Sequence, residues 1–178
     1  MSMAISEADA SAAARPPLPI IAQALHWLTA ALVLALFASG VMMKQIGEGP
    51  TADTLYLCHK TTGALLLGLV LIRIAYRLFA QLTARWRKGA ASRPVHALLY
   101  LALLVVPLLG WAGASAFGAR QLLFGLSLPV IWPEEMGHAA LLLTSHAWLA
   151  FGLIALVVIH IGVALGDYLT REAKAGLR

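Results

Sequence analysis

Charged residues are scarce in this sequence, since Asp, Glu, Lys and Arg make up only 12% of its 178 residues. A soluble domain of this length needs much more charge to cover its surface. Hydrophobic residues reach 61% and the mean hydropathy is +0.83. The composition therefore excludes an ordinary water-soluble domain and predicts a membrane protein. There is a single cysteine, Cys58, so an internal disulfide is also excluded.

Acidic residues are few as well, and the formal net charge is +5. A basic protein can bind nucleic acid, but here the basic residues lie between apolar stretches, which is the pattern that orients membrane proteins. We therefore expect no nucleic-acid partner. The most basic segment contains no acid, and its basic residues are Arg73, Arg77, Arg85, Arg87, Lys88 and Arg93. The positive-inside rule places this segment in the cytoplasm, together with both termini.

Four apolar stretches are long enough to cross the roughly 30 Å hydrocarbon layer as helices. They are residues 20–43, 55–79, 95–117 and 141–166. Backbone polar groups in lipid must be satisfied within the segment, so helices are predicted rather than open strands. The predicted fold class is all-α, an integral membrane four-helix bundle forming one domain over 20–170. Residues 1–19 lack the pattern of a secretory signal and are expected to be a disordered cytoplasmic tail, with a cytoplasmic C-terminal tail over 171–178.

Six histidines occur in this apolar sequence, and five lie within or at the edge of a predicted span. Ionisable side chains in a membrane are costly, so each of these histidines is a candidate functional residue. Sorted by depth, four of them form two pairs across different helices. His26 pairs with His160 near the cytoplasm, and His59 pairs with His146 near the periplasm. A lone intramembrane histidine is often a neutral hydrogen-bonding group at a helix contact, so the functional argument depends on the arrangement.

His146 and His160 are 14 residues apart, which is nearly four helical turns. They therefore share one face of the fourth span, about 21 Å apart along its axis. Bis-imidazole ligation across a bundle core is a standard way to hold a haem iron. The sequence predicts two b-type haems in the core, with the paired histidines as axial ligands. No Cys-x-x-Cys-His motif indicates covalent c-type attachment, and no group of three or four ligands at one depth suits zinc.

Small residues follow each of these histidines by four positions, which leaves room for a haem beside the helix. They are Ala30, Gly63, Ala150 and Ala164. Small residues also line membrane helix contacts in general. Arg73 and Arg77 return to the face of His59 near the cytoplasm, where they could bind haem propionates, and Lys44 could do the same at the other end. Plain interface anchoring is the alternative explanation of these cations.

Two further histidines receive different predictions. His96 opens the third span on the cytoplasmic side, and it is a reserve ligand or a group near a quinone or a propionate. His138 lies in the third loop and is expected to be a solvated surface residue. That loop contains the apolar run 124–129 and Trp132, so it is expected to lie on the membrane surface.

The order and spacing of several motifs resemble the bacterial cytochrome b561 family, and within it the di-haem superoxide:ubiquinone oxidoreductases. The resemblance covers nearly the whole chain after the N-terminal tail. The motifs are His26-Trp27, His59-x-x-x-Gly63, Arg73-x-x-x-Arg77-Leu78, His96 with Pro107 and Gly110, Phe124-Gly125-Leu126, Leu128-Pro129, Ser145-His146 and His160. The resemblance implies the same four haem ligands that the spacing indicates.

The resemblance also implies an activity, namely oxidation of periplasmic superoxide to oxygen, with electrons passing through two haems b to ubiquinone. Lys44, Lys60 and Arg120 would draw the anion to the periplasmic mouth, because a basic funnel raises the encounter rate of an anion. The family has a histidine seven positions after its last ligand, whereas this sequence has Asp167, followed by Tyr168. Asp167 would then have to substitute at the quinone end, with His96 and Tyr168 as further proton-carrying candidates.

Two other functions fit the same sequence features. One is an electron-relay subunit that links a periplasmic dehydrogenase or hydrogenase to the quinone pool, and the fold cannot separate it from a self-sufficient oxidoreductase. The other is a haem-free membrane transporter or structural bundle. The expected location is the bacterial inner membrane, with the lipid bilayer as the environment and a protein partner possible but not required.

Overall fold

The computed structural model describes residues 20–82 and 93–175 and shows four long helices. They are α1 (Ile20–Ile46), α2 (Pro50–Leu82), α3 (Arg93–Ala116) and α4 (Met136–Ala175). Within the described residues the only strand-like feature is an isolated bridge between Gln121 and Ser127. The predicted all-α fold is therefore confirmed. The predicted N-terminal tail and most of the basic segment lie outside the described residues, and 171–175 continue α4.

All four helices are long and apolar enough to cross a membrane. Their candidate spans contain 27, 30, 23 and 35 residues, compared with the roughly 20 that a bilayer requires. The first two helices are longer than predicted, because the connection between them takes only residues 47–49. Gly47 (φ +82°) adopts the left-handed conformation that ends a helix, and Pro50 occupies a first helical turn, where its missing N–H costs nothing.

The helices pack in chain order, α1 on α2, α2 on α3 and α3 on α4, and the last of these contacts is the most extensive. An apolar cluster fills the middle of the bundle with residues from all four helices. Its buried members are Val33, Leu36, Leu66, Val70, Leu103 and Leu153. On α4 the cluster residue Leu153 lies between His146 and His160, so the cluster separates two histidine levels.

The connection between α3 and α4 is a compact cover held on the ends of α2 and α3. The hydroxyl of Ser115 donates to the carbonyl of Trp132 at 2.9 Å, and the Trp111 indole donates to the carbonyl of Pro129 at 2.9 Å. The backbone N–H of Leu123 donates to the Thr61 hydroxyl at 3.0 Å. We call the end with this cover and the 47–49 turn the connection end. The opposite end, where α1 begins and α4 finishes, is the terminal end.

Candidate functional site: two levels of histidine

The histidine pair at the connection end joins α2 to α4. The ring centroids of His59 and His146 are 6.1 Å apart and the rings are nearly perpendicular, at 87°. Both side chains are half-buried. Each ring also has one nitrogen engaged by a neighbouring helix, and these contacts determine which nitrogen faces the partner histidine.

His59 is oriented by α1. Its Nδ1 lies 3.0 Å from the hydroxyl of Ser39, and that hydroxyl donates to the carbonyl of Leu36 at 3.0 Å. Since the hydroxyl proton is used on the carbonyl, the Ser39 oxygen accepts from a protonated Nδ1. This arrangement leaves the Nε2 lone pair for a metal, as in ligating histidines whose second nitrogen is held by a hydrogen bond. Gly40 permits the approach, because a Cβ there would lie 3.3 Å from the ring.

His146 is oriented by α3. Its Nδ1 lies 2.8 Å from the carbonyl of Val106, which can only accept, so the proton is on Nδ1 and Nε2 is again available. Gly110 lies one helical turn after Val106. A Cβ on Gly110 would lie 3.0 Å from two atoms of the His146 ring. The absent side chain therefore forms the notch through which the ring reaches the α3 backbone.

The pair at the terminal end joins α1 to α4. The ring centroids of His26 and His160 are 6.2 Å apart, a separation almost equal to that of the first pair. The guanidinium of Arg73 lies beside this pair, with a nitrogen 3.5 Å from His26 Nδ1. A cation is therefore placed at the rim of the second level, which is where the sequence predicts a propionate partner.

Two side chains of α3 complete the terminal end. His96 lies against His160, with ring centroids 5.0 Å apart. Tyr100, one turn further along α3, accepts a hydrogen bond from Arg77, with 3.1 Å between Nη1 and the hydroxyl oxygen. Its ring also lies 5.0 Å from the guanidinium carbon of Arg77 and 5.6 Å from that of Arg73, within the range of cation–π attraction. Tyr100 thus positions both arginines at one level.

The two pairs have the dimensions that bis-histidine ligation requires. A metal midway between two imidazole nitrogens, at bonds of about 2 Å, separates the ring centroids by roughly 6 Å. The measured separations are 6.1 and 6.2 Å. A Cβ built on Gly63, one turn after His59, would meet no heavy atom within 4 Å. The residues present therefore fit a haem at each level.

The remaining predicted site residues lie around these levels. Lys44 is exposed in the last turn of α1. Lys60 is half-buried and donates from Nζ to the carbonyl of Ala119 at 2.8 Å, so it also anchors the cover. Arg120 donates to the carbonyl of Leu128 at 3.3 Å. Asp167 is exposed on α4, near the terminal end.

Two predictions about neighbouring residues can be compared with the structure. His138 is exposed, but its predicted place in the third loop is wrong, because α4 already begins at Met136 and includes it. It pairs with Glu135 at 2.7 Å. Tyr168 is exposed and donates a hydrogen bond to Glu172.

Sequence reasoning missed the residues that orient the rings. Ser39 had a usable signal, because a short turn between α1 and α2 places it at the depth of His59. The contacts of Gly110 and Tyr100 depend on how α3 is rotated against its neighbours, which the apolar pattern does not specify.

Fold and site together define a membrane four-helix bundle of the cytochrome b type. Residues 18–171 match the prokaryotic cytochrome b561 family, and the chain belongs to that family. A similar protein is cytochrome b561 homolog 2 of Escherichia coli (strain K12), which is 29% identical over 156 residues, or 82% of this chain and 81% of that protein. The predicted family is confirmed. The protein is a multi-pass membrane electron-transfer protein of a family that binds b-type haem.

The hydroxyl of Ser39 provides a first test of how His59 is oriented. Ser39→Ala removes the acceptor of the Nδ1 proton, so the ring loses its fixed orientation. Losing such a partner typically lowers metal affinity about 10–100-fold. We expect haem to dissociate faster and the midpoint potential of one haem to shift, measured by transfer of haem to apomyoglobin and by redox titration. Thr54→Ala is the matched control, because that hydroxyl donates to the carbonyl of Pro50 on the same helix rather than to a histidine. Equal behaviour of the two variants would contradict the assignment.

Proposed function

We propose that this protein carries electrons across the membrane between two haems b, one held by His59 and His146 and the other by His26 and His160. The observation that carries the proposal is the repetition of one geometry at two depths, with ring centroids 6.1 and 6.2 Å apart. The haems, when bound, supply one-electron carriers at both depths. The protein sets their separation, because His146 and His160 share one face of α4 about 21 Å apart.

The other polar residues of the bundle have supporting roles in this proposal. Ser39 and the carbonyl of Val106 hold Nδ1 of His59 and His146, so that Nε2 of each ring would be available to a haem iron. Arg73 and Arg77, positioned by Tyr100, would bind the propionates of a haem at the terminal end. Guanidinium groups suit this task, because they bind carboxylates through two parallel hydrogen bonds.

We propose superoxide as the electron donor, reacting at the connection end. Lys60 lies in the sequence next to His59, and its Nζ contacts the cover at Ala119, beside Arg120. These cations, with Lys44 at the end of α1, would attract a small anion. The basic segment between α2 and α3 supports an orientation with the connection end in the periplasm and both termini in the cytoplasm of a bacterial inner membrane.

We propose ubiquinone as the acceptor at the terminal end. Oxidation of one superoxide to oxygen releases one electron, so two superoxides supply the two electrons that reduce one quinone to quinol. The two protons that quinol formation requires would come from the cytoplasm, with His96, Asp167 and Tyr168 as candidate carriers. No protein partner is required in this scheme.

Purified protein tests this function directly. A pyridine haemochrome assay should give about two haems b per chain. Superoxide should then reduce the haems rapidly when it is mixed with the protein in a stopped-flow instrument, and added ubiquinone should reoxidise them. Slow reduction by superoxide, together with fast reduction by a docked dehydrogenase or hydrogenase, would favour the electron-relay alternative. Absence of haem b would overturn the proposal.

The charge of Lys60 gives a sharper test of the donor. Lys60→Gln should slow haem reduction by superoxide and weaken the dependence of its rate on ionic strength, because one attracting charge is lost. The effect is measured by stopped-flow at low and high salt. Lys60→Arg keeps the charge and should restore the rate. If the rate of haem reduction by superoxide depended neither on the charge at position 60 nor on the salt concentration, Lys60 would have no role in attracting the anion.

A further inference from the structure

The terminal end holds three imidazoles rather than two. The ring of His160 is met edge-on by His26 of α1, at 6.2 Å and 66°, and by His96 of α3, at 5.0 Å and 76°. At the connection end, the described residues place only His59 in ring contact with His146. Among the described residues, the two levels therefore differ in the number of imidazoles in ring contact.

His96 is brought to His160 independently of α1. It lies near the start of α3, and α3 forms the most extensive helix contact of α4, the helix that carries His160. His26 is instead on α1, which packs mainly on α2. Removing the side chain of His26 therefore leaves the helix contact that holds His96 and His160 together.

The surroundings of His96 belong to the same site. Tyr100 lies four residues after His96, so the two side chains lie on one face of α3. Tyr100 contacts Arg73 and Arg77, and Arg73 lies 3.5 Å from His26. The contacts form a closed ring from His160 through His26, Arg73 and Tyr100 back to α3 and His96.

We propose that His96 is a substitute axial ligand, able to replace His26 opposite His160. The ring centroids of His96 and His160 are 5.0 Å apart, within about 1 Å of the roughly 6 Å separation that bis-histidine ligation requires. The consequence is that the haem at the terminal end keeps two nitrogen ligands when either His26 or α1 is displaced. This inference rests on the proposed haem at that level.

Haem stoichiometry and spin state of single and double variants test the substitution. His26→Ala should retain about two haems per chain in the pyridine haemochrome assay, both low-spin and six-coordinate by electron paramagnetic resonance. The double variant His26→Ala/His96→Ala should fall to about one haem, or hold its second haem as a high-spin, five-coordinate species. His59→Ala is the matched control. This single substitution should already remove one low-spin haem, because its level has no third histidine among the described residues.

The haem at the untouched level reports correct folding in every variant. Loss of one low-spin haem in His26→Ala, to the same extent as in His59→Ala, would overturn the substitution. So would retention of two low-spin haems in the double variant, since another ligand would then be acting. A wild-type protein with fewer than about two haems would instead overturn the proposed function, and this is measured before any variant is made.

Discussion

Replacing His146 with alanine should lower the haem content from about two per chain to about one and stop the reduction of quinone by superoxide. The ring of His146 is half-buried, faces His59 at 6.1 Å and is held by the carbonyl of Val106 at 2.8 Å, and among the described residues only His59 is in ring contact with it. The remaining haem should keep a low-spin spectrum, because His26 and His160 are untouched. Absorbance, haemochrome assay and stopped-flow reduction measure these effects on one preparation.

His138→Ala is the control for this variant. His138 is on the same helix, but it is exposed and paired with Glu135 outside both levels. We expect unchanged haem content and unchanged quinone reduction. If His146→Ala kept both haems in low-spin form, His146 could not be a ligand. Recovery of the second haem on addition of free imidazole would support the assignment, because the small ligand can occupy the space left by the side chain.

Gly110→Ala should have nearly the same effect as removing His146, although the substitution adds only one methyl group. The added Cβ would lie 3.0 Å from two ring atoms of His146. Either the ring leaves the Val106 carbonyl or α3 moves away from α4, and crowding of this kind typically costs about 1–3 kcal/mol. We expect loss of the haem at the connection end, measured by stoichiometry and by electron paramagnetic resonance. Thermal melting followed by absorbance should also show a lower transition temperature.

Two other glycines separate a local effect on the ring from general helix packing. A Cβ on Gly152 of α4 would meet no heavy atom within 4 Å, so Gly152→Ala should be tolerated. A Cβ on Gly113 of α3 would lie 2.6 Å from the side chain of Leu143, so Gly113→Ala should disturb the α3–α4 contact without touching the ring. If Gly113→Ala and Gly110→Ala lost haem equally at the same thermal stability, the notch at Gly110 would have no specific role.

Much of the bundle was predictable because lipid imposes strict rules. Long apolar stretches must be helices, and their number gave the four observed helices. The predicted ends of the first two helices were less accurate at the 47–49 turn. Gly47 and Pro50 favour a helix end and a helix start there, but the apolar pattern does not show these boundaries. The histidine pairs were predictable from depth alone, since a helix converts sequence distance into a fixed rise. The structure brings His26 to His160 and His59 to His146, while their role as ligands stays a prediction.

Side-chain contacts between neighbouring helices were not predictable in the same way. The depth of His96 along its helix predicted that it lies near the same end as His160, but not that the two ring centroids are 5.0 Å apart. Lys60 was predicted as an attracting charge, and the structure shows that its Nζ also binds the carbonyl of Ala119, 59 residues away. Such contacts depend on the rotation of each helix about its own axis and on the path of the cover. Neither of these produces a periodic pattern in the sequence.

The scarcity of charge and the long apolar stretches determined by themselves that this chain is a membrane helix bundle, and the spacing of the histidines along it determined two levels of imidazole. Both follow from one-dimensional quantities, composition and rise per residue. Only the tertiary structure decided which nitrogen of each ring is held, by Ser39 at one histidine and by the Val106 carbonyl behind Gly110 at the other, and that a third imidazole joins the terminal end. The physical reason is that these contacts depend on side-chain packing between helices, within distances of about 3 Å, which no single helix specifies.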